Sequence, residues 1–171
     1  TGIELHLDSE TGVPLKSLLL NDKGQMLERF QFTQFDASQA TNTEPVTPSA
    51  DCQPVKVVAA TPLDAKAWRT DWLPPGFSLS STTQKVSSIS EEPVACLLYD
   101  DGLARFSVFL EPLDGATAGD ARTQLGPTVA VSRRLATSGG DVMVTVVGEI
   151  PLGTAERVAL SVRQGEAQPQ P

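Results

Sequence analysis

From Gly76 to residue 150 the chain is a succession of apolar–polar alternations separated by turn-forming residues, and no helical stripe interrupts them. This constrains the fold more than any other feature. Parallel strands need a crossover element between them, whereas antiparallel strands can be joined by short turns. Phe77 and Leu79 begin a first run and VACLLY at 94–99 a second. LARFSVFLE at 103–111 places Ala104, Phe106, Val108 and Leu110 on one face, with Leu103, Arg105, Ser107, Phe109 and Glu111 on the other. TVAVSRRL puts Val129, Val131 and Leu135 together, with Arg133 the exception, and DVMVTVVGEI aligns Val142, Val144 and Val146. About five strands in one antiparallel sheet are predicted.

The connections agree. YDDG at 99–102 sets Asp100 and Asp101 a few residues before Arg105, which invites comparison with a catalytic acid pair. Adjacent side chains do not converge on one bond as an acid and a base must. Asp-Gly does supply the positive φ that a two-residue hairpin needs, so the stretch reads as a turn. SGGD at 138–141 reads the same way.

Two helices are predicted around this sheet. In TAERVALSVR (154–163), Ala155, Val158, Ala159 and Val162 fall at i, i+3, i+4 and i+7, with Thr154 to cap the helix and Gly165 to end it. A short amphipathic helix after a half-apolar sheet is expected to lie across it. In TPLDAKAWRTDW (61–72), Thr61 offers an N-cap, Pro62 a first helical residue and Asp64 a favourable charge. Trp68 and Trp72 would then share a face, and LPPGF would stop the helix.

The first 35 residues carry a different signal. Ile3, Leu5 and Leu7 alternate with Glu4 and His6, Leu15 to Leu20 form a second run, and MLERFQFTQF a third, with SETG and NDKG as turns. Three strands cannot bury a core alone, so residues 1–35 read as the end of a larger sheet whose earlier strands are absent. Such open edges invite pairing with another chain, a second copy included. Residues 36–60, with Pro45, Pro48 and Pro54 among small polar residues, read as an extended linker. Residues 61–165 form the second domain and 166–171 a disordered tail. The start at Thr1 without a methionine or signal peptide suggests a processed chain or an excised fragment.

A net charge of −8 argues against nucleic-acid binding and against a polybasic membrane anchor. No apolar run approaches the roughly 18 residues of a transmembrane segment. Cys52 and Cys96 match no zinc or redox motif. They can pair in an oxidising compartment and would be free thiols in the cytosol. His6 is the only histidine, on a strand whose neighbours make it a solvated face residue. Metal sites of the usual kinds are disfavoured, no P-loop, G-x-G-x-x-G or G-x-S-x-G occurs, and neither an enzymatic activity nor a cofactor is expected. Arg105, Arg133 and Arg134 lie on neighbouring predicted strands, where two of them can converge on a phosphate or carboxylate. The plainer reading is a solvated face paired with Glu111 or Glu149. Trp68, Trp72, Phe77 and Tyr99 can likewise be a recognition surface or simply core.

Taken in order, WLPPGFSL, LLYDDGLARFSVFLE, GPTVAVSRRL and VVGEIPLGTAERVALSV resemble the C-terminal domain of the MucB/RseB periplasmic regulators. DSETGVPLKSLLLNDKGQMLERFQFTQF resembles the closing strands of that family's N-terminal domain, an open barrel similar to lipoprotein carriers such as LolA. The resemblance implies an α+β, mostly antiparallel fold: end strands of a LolA-like open barrel, a linker, then a small sheet packed with one or two helices. It implies a periplasmic protein that binds the periplasmic region of a membrane-anchored anti-sigma factor of the MucA/RseA type. Such a protein shields that region from the site-1 protease and releases it on sensing lipopolysaccharide or lipid A. Arg105, Arg133 and Arg134 are then candidates to meet acidic groups of the partner or lipid A phosphates, with Trp68, Trp72 and Tyr99 as candidate aromatic contacts. The alternative on the same N-terminal fold is a periplasmic lipid or lipoprotein carrier of the LolA type.

Overall fold

A computed structural model describes residues 2–38, 47–53, 61–62, 68–86 and 93–165. The chain divides into two units, Gly2–Ala59 and Ala60–Pro171.

The first unit is a three-stranded antiparallel sheet in the order β1 (Gly2–Leu7), β2 (Pro14–Leu20), β3 (Met26–Gln31). Asp8 fixes the first turn, its carboxylate accepting from the Thr11 amide at 2.7 Å, the Thr11 hydroxyl at 2.7 Å and the Glu10 amide at 3.2 Å. These bonds lower its pKa. In the second turn, Asn21 Oδ1 accepts from the amides of Lys23 and Gln25. Ile3, Leu5, Phe30 and Phe32 all remain exposed, and of the strand residues only Leu19 is buried. Much of the expected linker, residues 39–46 and 54–60, lies outside the described residues, and 47–53 is exposed with no helix or strand.

The second unit begins with β4 (Thr61–Pro62), β5 (Trp68–Thr70), β6 (Ser78–Val86), β7 (Pro93–Asp100) and β8 (Arg105–Pro112). It continues with β9 (Ala121–Leu125), β10 (Thr128–Thr137), β11 (Gly140–Gly148), α1 (Leu152–Ser161) and β12 (Val162–Gln164). Seven strands form one antiparallel sheet in the order β4-β6-β7-β8-β11-β10-β9, while β5 and β12 pair separately. The alternation sorts residues as expected. Phe106, Val108, Val129, Val144 and Val146 point to one face and are buried, and α1 covers them with Ala155, Val158 and Ala159. α1 packs on β10 and β11. Each fully buried Val, Leu or Phe contributes about 1.5–3 kcal/mol relative to exposure. At Gly148 the backbone passes so close that a Cβ would stand 2.5 Å from that of Phe106 and 2.7 Å from the Arg105 carbonyl oxygen.

Several expectations need correction. Trp68–Thr70 is a strand and not the end of a helix: Thr70 pairs with Val162 and Trp68 with Gln164. Thr61 and Pro62 pair with Gln84 and Thr83. Cap-like residues gave this stretch a helical reading, but Trp and Thr suit a strand and long-range pairing overrides local propensity. Residues 63–67 lie outside the described residues, and α1 is the only helix among those described. That helix begins at Leu152 after Pro151 and ends at Ser161. Thr154 is therefore inside it and not its cap, and Val162 already belongs to β12, ahead of Gly165. The YDDG hairpin exists, but its loop spans residues 101–104 because Asp100 pairs with Arg105. Gly102 supplies the positive φ, at 91°, and Asp101 accepts from the amides of Leu103 and Ala104. β4 and β9 were not foreseen. The expected tail, 166–171, lies outside the described residues.

Candidate functional site

The three predicted arginines do not converge. Arg133 and Arg134 are successive residues of β10 and project to opposite faces of the sheet. Arg105 shares a face with Arg134 but sits at the other end. The register aligns Arg134 with Met143 and Met143 with Glu111, which is six residues along β8 from Arg105. At 3.2–3.4 Å per strand residue that is about 20 Å. Each has its own aspartate: Arg105 lies 3.6 Å from Asp100, and Arg133 3.5 Å from Asp120. Arg134 donates from Nε and Nη2 to Asp141.

Tyr99 is core. It is 3% exposed, stacks on Phe106 at 5.1 Å, and its hydroxyl is 2.6 Å from Thr70 Oγ1. That bond ties the large sheet to β5, and burial pushes the phenol pKa up. Phe77 packs on Phe106 as well. Trp68 and Trp72 are half-buried against the same core, with the Arg157 guanidinium 4.0 Å from the Trp72 ring centroid. Cys52 is exposed and Cys96 buried, and both thiols are free. A bond from Cys96 would require a second Cβ within about 4.5 Å of one held inside a paired strand. His6 is half-exposed and bonds Glu4 at 2.6 Å. Among the described residues no three or more His, Cys, Asp or Glu groups gather to hold a metal.

What the fold does bring together is a cavity of about 370 Å³ on the helix side of the sheet, between β9, β10 and α1. Arg122 is opposite Val131 in the ladder, so Arg122 and Arg133 are diagonal neighbours on one face. The apolar surface is Val131 and Leu160, and the rim carries Arg122 bonded to Glu156 at 3.2 Å and Arg133 beside Asp120. The cavity exists because α1 lies over β10 and β11 and leaves β9 exposed along its whole length. β9 itself is folded back by a two-residue turn, with Gly126 at φ 58° followed by Pro127, the glycine-first pattern of a type II′ hairpin. Sequence reading missed Arg122 because ARTQL lacks apolar alternation, and the Gly126-Pro127 pair after it was the available signal.

A sheet-and-helix α+β domain with an open edge strand beside a cavity of mixed charge has the chemistry to hold a peptide chain. The comparisons with known proteins extend this to the level of family. The profile of the MucB/RseB C-terminal domain matches residues 62–163, and that of the MucB/RseB N-terminal domain matches residues 2–50. The chain belongs to the MucB/RseB family. It is 61% identical over 162 residues to the sigma factor AlgU regulatory protein MucB of Pseudomonas aeruginosa, covering 95% of this chain and 51% of that protein. It is 30% identical to the sigma-E factor regulatory protein RseB of Escherichia coli K12, over 95% of this chain and 50% of that protein. The crystal structure of MucB in complex with MucA(peri) superposes with a TM-score of 0.82 at 60% identity, covering 96% of this chain and 57% of that one. The chain thus spans about half the length of the curated relatives it matches.

Proposed function

We propose that this chain is the C-terminal portion of a periplasmic, non-catalytic regulator of an envelope-stress sigma factor. It binds the periplasmic region of a MucA/RseA-type anti-sigma factor and protects it from site-1 proteolysis. Lipopolysaccharide or lipid A weakens that hold. Residues 1–35 are the final strands of a LolA-like domain, and 61–165 form the C-terminal domain. The observation that carries this reading is the match, over nearly the whole chain, to a MucB solved together with MucA(peri).

Calorimetric titration with the purified periplasmic segment of the anti-sigma factor, with and without lipid A, tests it. Saturable binding that lipid A weakens is expected, together with slower cleavage of the bound segment by the site-1 protease. Binding that lipid A leaves unchanged would assign sensing to residues outside this chain. Absence of binding by the full-length protein would end the regulator reading.

A further inference from the structure

Among the described residues β9 ends the seven-stranded sheet with no strand paired to its outer edge, and all five of its residues are exposed. Leu125 pairs with Thr128 across the two-residue turn. In such a hairpin the pair next to the turn exchanges hydrogen bonds, and alternation sets the rest. Leu125, Thr123 and Ala121 direct their amide and carbonyl groups to β10, whereas those of Arg122 and Gln124 point to the open edge. The Arg122 side chain does not block that edge, because its bond to Glu156 draws it toward α1. Beside the edge, on the helix side, lies the 370 Å³ cavity, with Leu160 half-exposed over it.

An unpaired edge with a pocket beside it is what strand addition requires. Backbone hydrogen bonds supply affinity and alternate side chains enter pockets to supply specificity. We propose that an extended segment of the anti-sigma partner adds as a strand to β9 and places an apolar side chain in the cavity against Leu160 and Val131. This rests on the regulator reading above and specifies where the partner seats. The rim carries Arg122 and Arg133 with Glu156 and Asp120, so the flanking positions of the segment can hold either sign of charge. A second copy of this chain fits less well. Pairing two five-residue edges buries far less than the roughly 1,200 Å² of a stable interface, whereas a longer partner segment is not confined to the five residues of β9.

The test uses Gln124→Pro, which removes only an edge-facing N–H, a position where edge strands tolerate proline. Gln124→Ala keeps that N–H and serves as control. Titrated with the purified periplasmic segment of the anti-sigma factor, Gln124→Pro is expected to bind at least tenfold more weakly, the equivalent of about 1.4 kcal/mol. Gln124→Ala should bind like the parent protein. In the unmodified protein, amide exchange at Arg122 and Gln124 should slow on complex formation, a readout independent of how the proline variant folds. Normal binding by a folded Gln124→Pro, with no new protection at these two amides, would overturn strand addition and leave the regulator reading intact. Failure of the unmodified full-length protein to bind would remove both. Concentration-dependent self-association that Gln124→Pro abolishes, with partner binding unaffected, would give the edge to a second copy instead.

Discussion

The two units are built from the same strand periodicity and differ in what lies over it. Ile3 and Leu5 alternate along β1 as regularly as Val144 and Val146 along β11, yet they are 39% and 45% exposed while both valines are fully buried. α1 and the β5–β12 ribbon account for the difference, since they give the larger sheet a second layer. Alternation fixes which side chains share a face, and burial requires something for that face to meet.

Deletion of side-chain volume should separate the two units most sharply. Phe106→Ala removes a side chain packed between Tyr99, Phe77 and the helix layer and is expected to cost about 3–5 kcal/mol. Leu5→Ala should cost under about 1 kcal/mol, because nearly half of Leu5 stays exposed and its removal leaves no enclosed cavity. Both tryptophans belong to the second unit, so urea unfolding followed by tryptophan fluorescence reads Phe106→Ala, while amide exchange across the β1–β2 pair reads Leu5→Ala. Equal losses from the two substitutions would break the comparison.

Gly148→Ala tests the same contrast through the backbone. A methyl there meets the Phe106 Cβ and the Arg105 carbonyl inside a paired ladder, and about 1–3 kcal/mol of destabilisation is expected by the same fluorescence measurement. Gly12 and Gly24, in the turns of the first unit, have no atom within 4 Å of an added Cβ. Substitution there acts only through their positive φ, at 72° and 74°.

The larger sheet was legible because its strands are long and alternate regularly: spacing alone groups Phe106 with Val108, Val129 with Val131 and Val142 with Val144, and these shared faces are the buried ones. The 61–72 stretch was misread because Thr-Pro at its head imitates a helix start, and its strand partner lies about 90 residues away in β12, beyond any local signal. The candidate site was hardly legible at all. Its residues come from β9, β10 and α1, and the arginine that pairs with Glu156 lies on an exposed strand with no hydrophobic period. The arginines that drew notice, Arg133 and Arg134, are neighbours in sequence and for that reason face opposite ways.

Tyr99 offers a smaller test that depends on pH. Burial raises its pKa from about 10, and the bond to Thr70 opposes this only in part. A phenol with a raised folded-state pKa keeps its full contribution below the unfolded value and loses it as pH climbs through the folded one. Stability should therefore fall above pH about 10, and Tyr99→Phe should remove that alkaline loss while costing about 0.5–1.5 kcal/mol at neutral pH for the lost hydrogen bond. An unchanged alkaline limb in the variant would show that Tyr99 does not govern it.

The smallest effect sharpens the comparison at the turns. Asp8 in the first unit and Asp101 in the second are used alike, each carboxylate gathering the amides of the residues that follow. Both pKa values are lowered by those bonds. A lowered folded-state pKa gives stability that is present above the unfolded value, near 3.8, and is lost as pH falls through the folded value. The two sites differ in what the turn is coupled to. Asp101 closes the hairpin between β7 and β8, whose strands pair from Asp100–Arg105 inward to buried Phe106, so weakening its turn is transmitted to a packed core. Asp8 closes a hairpin whose faces stay largely open, so its loss should remain local. Asp101→Asn should therefore flatten part of the acid limb of the tryptophan-detected stability curve below about pH 4. Asp8→Asn should leave that curve unchanged and speed amide exchange only at Glu10 and Thr11. A matching shift from both variants would mean that the two units unfold as one.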